Sequence, residues 1–156
     1  PTVGKELFAI KIIVETQTVQ VKTEQPSDFN KNIDVTKIKT GQSFRIDNLF
    51  FMADSSSFTP NSIVVLDELA GFLKKNPNIQ VEIGGHTNGL PAHSYCDRLS
   101  QDRAEHVRDY LISKGISSSQ ISAKGYGKRE PLADNSTEDG RRMNQRVEVK
   151  VLNIGH

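Results

Sequence analysis

The chain has no tryptophan, a single cysteine and almost no imbalance of charge. One cysteine excludes a disulfide framework and a zinc site built on cysteines. Lysine and arginine total 20, aspartate and glutamate 19, and a net charge of +1 exerts no broad pull on nucleic acid or anionic lipid. No apolar run approaches the roughly 20 residues that cross a bilayer. The N-terminus lacks the basic stretch followed by an apolar one that makes a signal peptide. It opens on Pro1, so the expectation is a processed or excised piece whose export signal lies outside it. His86, His93, His106 and His156 form no HExxH, and the glycines match neither GxGxxG nor a P-loop. No metal, cofactor or nucleic-acid partner is therefore expected.

What is present suits one compact domain of 156 residues, 35% hydrophobic and 25% charged. Ile10, Ile12, Val14, Val19 and Val21 alternate within residues 6–22, which reads as a strand or hairpin. The polar stretch 25–32 marks a boundary. The expected division is an N-terminal strand and linker over 1–32, the main domain over 33–152 and a tail over 153–156. Within the main domain, Phe44–Ile46 and Leu49–Phe51 read as strand around a turn at Asp47-Asn48, with a polar loop at 54–57. Thr59-Pro60 reads as the opening of a helix, with Thr59 as N-cap. Ile63, Leu66, Leu69, Ala70 and Leu73 give it one apolar face. Pro77 stops it, and Ile79, Val81 and Ile83 alternate as a strand. A loop is expected over 84–96, then a helix through Leu99, Ala104, Val107 and Leu111 to Gly115. Residues 121–126 read as a short strand. Residues 128–145 read as polar loop with a helical turn near 138–143. Val147, Val149 and Val151 form the last strand. The order is β-α-β-α-β-β after an extra N-terminal strand element. This is an α+β fold, with two main helices packed on one face of a mixed sheet.

Catalytic readings are weak. His86 follows a strand, where a general base could sit, but a histidine bonded to backbone explains it as well. Cys96 has Asp97 beside it, which disfavours a thiolate. The late basic residues, from Lys124 to Lys150, are offset by acids and lack interleaved aromatics, so no nucleic-acid platform is expected. No catalytic residue is assigned, and the chain is not expected to be an enzyme.

Several separated motifs agree in order and spacing. They are Gly85-His86-Thr87-Asn88, Leu99-Ser100-Gln101-Asp102-Arg103-Ala104, Gly125-Tyr126-Gly127, Pro131 with Asn135, Gly140-Arg141 and Asn144-Gln145-Arg146-Val147. Together with the upstream LFFMADSSSFTP, this set resembles the OmpA-like C-terminal domain family. That family's pattern runs GHTD, NxxLSxxRA, GxG and PxxxNxTxxGRxxNRRV. The likeness covers about Ile33 to Leu152. It implies a non-enzymatic domain that binds peptidoglycan in the periplasm, through the diaminopimelate of the stem peptide. It also implies attachment to the outer membrane, and to outer-membrane or secretion-complex proteins, through parts not in this chain. The GHTN and YCDRLS variants resemble the branch carried by larger outer-membrane lipoproteins, the type IX secretion apparatus being one setting.

The distal end of diaminopimelate bears an ammonium and a carboxylate on one carbon. Arg103 stands at the family's arginine position, and a planar guanidinium matches a carboxylate through two hydrogen bonds. Three positions depart from the pattern: Asn88 replaces the aspartate of GHTD, Cys96 an asparagine, and Gln145 the first arginine of NRR. Asp97 is a candidate to restore the charge missing at Asn88. On the same resemblance, backbone N–H groups around Ala53, Asp54 and Ser55 and at Thr87 are expected to donate to ligand carboxylates. Phe51 and Leu99 are expected to flank the aliphatic chain, and Asn144 and Arg146 to fix the loop that closes the pocket. Two rivals stand beside this reading. One is a degenerate domain serving as a protein-interaction module, prompted by Asn88 and Gln145. The other is a cell-wall hydrolase, prompted by His86, His93 and Asp97.

Overall fold

The computed structural model describes residues 12–14, 37–89 and 92–155. Strands β1 (Ile12–Val14), β2 (Ser43–Ile46), β3 (Gln80–His86), β4 (Ile121–Gly127) and β5 (Arg146–Asn153) form one sheet in the order β1-β2-β5-β3-β4. Only β3 and β4 run parallel, and the other neighbours are antiparallel. Helix α1 (Ser62–Lys75) links β2 to β3, α2 (His93–Ser113) is the crossover from β3 to β4, and α3 (Glu138–Asn144) precedes β5. A parallel pair needs such a crossover, because a hairpin cannot reverse direction twice. The α+β architecture matches the sequence expectation. The expected strand over 6–22 is seen at Ile12–Val14, and the rest of it, with the 25–32 boundary, lies outside the described residues.

Alternation along the strands sorts the two sheet faces. Val81, Ile83, Val147, Val149 and Val151 are buried against Leu66, Leu69 and Leu73 of α1 and Ala104, Val107 and Leu111 of α2. Each fully buried leucine contributes roughly 1.5–3 kcal/mol relative to exposure. Truncating Leu66, which is fully buried, would cost about 2–5 kcal/mol. The intervening residues Glu82, Lys124, Tyr126, Glu148 and Lys150 occupy the other face.

Four local expectations need correction. Leu49–Phe51 is not a strand; only Phe51 pairs, in an isolated bridge to Phe58. Thr59 does not cap α1: its hydroxyl pairs with the Ser62 hydroxyl (2.9 Å) and not with a backbone N–H, and the N-cap position falls to Asn61. The helix therefore starts at Ser62, whose buried hydroxyl bonds both the N–H and the C=O of Phe50. The 84–96 loop is much shorter than expected. β3 continues through His86 because Gly84, Gly85 and His86 pair with both neighbouring strands, and α2 begins at His93. Finally, 138–144 is a full helix, with Thr137 capping it by accepting from the Gly140 amide at 2.9 Å.

Candidate functional site

Two glycines set how closely α2 lies on the sheet. A Cβ on Gly85 would run into the Ser100 carbonyl oxygen, and one on Gly125 would meet Ser100 Oγ at 2.6 Å. Their absence lets α2 touch the backbone of β3 and β4. Ser100 Oγ then accepts from the Gly127 amide (2.9 Å) and Gln101 Oε1 from the Gly125 amide (2.7 Å). This contact fixes the height and rotation of α2. Tyr95, Leu99 and Arg103, spaced by four along one side of the helix, are thereby aimed at the end of β3 and the loop after β2.

That loop is pinned to α2. Phe58 packs edge-on against Tyr110 and tilted against His106. Ser55 closes a tight turn by donating to the Met52 carbonyl at 3.1 Å, and Asp54 sits at φ 49°, a left-handed conformation that aspartate tolerates. Arg103 Nε donates to the Ser55 carbonyl at 2.9 Å, and its guanidinium lies 4.6 Å from the centre of the Phe51 ring.

These elements enclose a cavity of about 110 Å3. Phe51, Ala53 and Asp54 line it from the loop, and Thr87 and Asn88 from the end of β3. Tyr95, Cys96, Leu99 and Arg103 line it from α2, and Gln145 from the start of β5. Of the expected site residues, Phe51, Ala53, Asp54, Thr87, Asn88, Leu99 and Arg103 thus meet. Tyr95, Cys96 and Gln145 were missed as lining residues. The signal for Tyr95 was available in its spacing of four from Leu99 and eight from Arg103.

The electrostatics turn on Arg103, which is only 4% exposed. Burial pulls its pKa down, and Tyr95 and Asp54 push it back up. Among the described residues no carboxylate forms a salt bridge with it. Among the described residues nothing accepts from its two terminal nitrogens. A buried guanidinium with open donors is costly unless an anion completes it. Across the cavity, Asp54 Oδ1 accepts from the Tyr95 hydroxyl at 2.9 Å, a bond that raises the tyrosine pKa. Asn88 Nδ2 donates to Gln145 Oε1 at 3.0 Å, so a neutral amide pair stands where the family pattern has an acid and a base. Among the described residues the buried Thr87 hydroxyl has no hydrogen-bond partner. One cation and one anion, several ångströms of apolar wall and open donors suit a zwitterion on an aliphatic chain.

Other expected residues stand elsewhere. Asp97 does not line the cavity; both its oxygens are held by Arg129, with Nη2 to Oδ2 at 2.9 Å, and this pairing lowers its pKa. The Thr87 amide is committed to the Gly127 carbonyl (2.8 Å), and the Ser55 amide to Met52, so neither donates to a ligand. Ala53 and Asp54 keep amides with no acceptor among the described residues. Asn144 is fully buried and makes four hydrogen bonds to Leu132, Ala133 and Asn135, tying down the 131–135 loop. Arg146 bonds Glu148 (2.6 Å) and the carbonyls of Asn144 and Glu130 (both 3.1 Å).

The residues that prompted a hydrolase do not converge. His86 follows Gly85 in the strand, so it points to the sheet face away from α2. There it stacks on Tyr126 with centroids 5.0 Å apart. Burial, then Arg146, lowers its pKa to about 3, so it is a neutral structural ring at ordinary pH. Among the described residues no helix is long and apolar enough to cross a membrane.

The OmpA family model matches residues 50–145. Outer membrane porin F of Pseudomonas fluorescens is 43% identical over 101 residues, which are 65% of this chain and 31% of that protein. The peptidoglycan-binding protein ArfA of Mycobacterium tuberculosis is 36% identical over 101 residues, with the same shares. The chain thus spans about a third of the length of these relatives. Among solved structures, the cell wall anchor of the T6SS from Pseudomonas aeruginosa superposes with a TM-score of 0.62 at 32% identity. The match covers 72% of this chain and 80% of that one.

Proposed function

The chain belongs to the OmpA family, and from that premise we propose that it binds peptidoglycan non-covalently, as an anchor and not as an enzyme. The ligand is the distal end of the diaminopimelate side chain. Its carboxylate completes the open terminal nitrogens of Arg103, and its ammonium lies between the Asp54 carboxylate and the Asn88 side-chain oxygen. The aliphatic stem runs between Phe51 and Leu99. The observation that carries this reading is the buried Arg103 guanidinium, whose two terminal nitrogens have no acceptor among the described residues. Asp54 is preferred to Asp97 as the counter-ion because Asp54 lines the cavity, whereas Asp97 is held by Arg129. A charge-assisted bond contributes roughly 1.5–3 kcal/mol, so a single site of modest affinity is expected. A polymer presenting many stem peptides raises the effective strength by rebinding.

The finer setting follows from the motif likeness. We place the domain in the periplasm, attached through parts outside this chain to an outer-membrane complex of the type IX secretion kind. The Asn88–Gln145 amide pair favours one second reading, a domain that has lost its ligand and binds protein instead. Titration calorimetry with a diaminopimelate stem peptide and with its lysine counterpart, which lacks the distal carboxylate, separates these. Binding to the first alone supports the clamp. Equal binding to both would discard the role of Arg103 but keep the cell-wall role. Binding to neither, with no retention on purified wall sacs, would leave the interaction module.

A further inference from the structure

A second cavity, also of about 110 Å3, adjoins the first and shares Phe51, Arg103 and Gln145 with it. Its own walls are Leu49, Phe50 and Val147, with Gly85, His86 and Arg146 beside them. The two chambers differ in charge. The first contains the Asp54 carboxylate, whereas no acidic side chain lines the second. Arg146 is already neutralised by Glu148, so the uncompensated charge facing the second chamber is again that of Arg103. Phe50 is 57% exposed at its lip, an unusual place for a large apolar ring unless something packs on it.

Resting on the reading above, we propose that this second chamber takes the residue that follows diaminopimelate in the stem peptide, holding its terminal carboxylate and its methyl group. Arg103 lines both chambers, and each of its terminal nitrogens carries two N–H donors, so a guanidinium that holds the diaminopimelate carboxylate still has a donor for a second anion. The apolar side formed by Leu49, Phe50 and Val147 suits an alanine-sized methyl group, while the polar side with Arg103 and Gln145 faces its carboxylate. The consequence is selectivity for wall strands that are not cross-linked. Cross-linking consumes the terminal carboxylate of one stem and the distal ammonium of the other, and each chamber needs one of these groups free.

The test is calorimetric titration of the whole chain with three synthetic peptides. They are the tripeptide ending in diaminopimelate, the tetrapeptide ending in D-alanine, and the same tetrapeptide with a C-terminal amide. The tetrapeptide acid should bind at least fivefold tighter than the tripeptide, and the amide should lose that gain. Phe50→Ala, at an exposed position, should remove most of the gain while leaving tripeptide affinity within twofold. If the three peptides bind alike, or the amide keeps the gain, the second subsite is wrong while the diaminopimelate site stands. If no peptide binds, both fall together.

Discussion

Two arginines are buried in this domain, Arg103 at 4% exposure and Arg146 at 9%, and their surroundings are opposite. Every nitrogen of Arg146 has a protein oxygen: a Glu148 carboxylate and the carbonyls of Asn144 and Glu130. Arg103 has one such bond, from Nε, and an aromatic face. Burial alone therefore does not distinguish a structural charge from a binding one. The distinction lies in whether the protein itself completes the donors. Around Arg146 the protein solves its own electrostatics and gains rigidity. Around Arg103 it leaves terminal donors without an acceptor among the described residues, which the proposed ligand would complete.

Swapping each arginine is the strongest way to break this contrast. Arg146→Ala leaves Glu148 without its partner and frees two carbonyls, so urea unfolding should report a loss of roughly 3–5 kcal/mol. A loss under 1 kcal/mol would mean that the cluster is not a structural clasp.

The same cluster predicts acid sensitivity. The His86 pKa is about 3 in the folded chain, against about 6.5 when unfolded. Its contribution is complete above pH 6.5 and is lost as pH falls toward 3, because only the unfolded state then takes up the proton. Between pH 6.5 and 4 this amounts to about 3 kcal/mol. His86→Phe keeps a ring against Tyr126 and should flatten that part of the pH–stability curve. An unchanged slope would assign the acid sensitivity to other groups.

Arg103→Met should behave in the opposite way. Stem-peptide affinity should fall about a hundredfold, or roughly 2.7 kcal/mol, while stability stays level or rises, because an uncompensated buried charge has been removed. Loss of both together would show that Arg103 is structural after all. The smallest effect belongs to Asp97→Asn. The Asp97–Arg129 pair is exposed, so stability should change by under about 1 kcal/mol and affinity by less than twofold. A tenfold loss of binding would return the counter-ion role from Asp54 to Asp97.

Much of this contrast was legible in the sequence, for identifiable reasons. Helical and strand periodicities located the core of α1, α2, β3 and β5, since burial forces apolar residues to recur at 3.6 or 2. Arg103 was placed by its motif. What was not legible depends on contacts between distant segments. Thr59 looked like a cap, but its hydroxyl pairs with that of Ser62, which is tied to the distant Phe50 backbone. Asp97 looked available because Arg129 is 32 residues away in sequence. Asp54 looked like an ordinary loop acid until Tyr95 and Arg103 were brought beside it. The paired replacements at Asn88 and Gln145 read as two separate losses in sequence, whereas in space they are one hydrogen bond.

The strand order has a consequence for the sequence of assembly. β5, the last strand of the chain, lies in the middle of the sheet, between β2 and β3. The β3-α2-β4 unit is local and can form early, whereas β2 and β3 have no common neighbour until residues 146–153 arrive. Gln145, which borders both chambers, is set in place by that same arrival. The C-terminal strand is thus a keystone. On the proposed reading, a growing or truncated chain that stops before it has the parts of a grip but no hand, and its hold would begin only when this eight-residue strand has closed the arch.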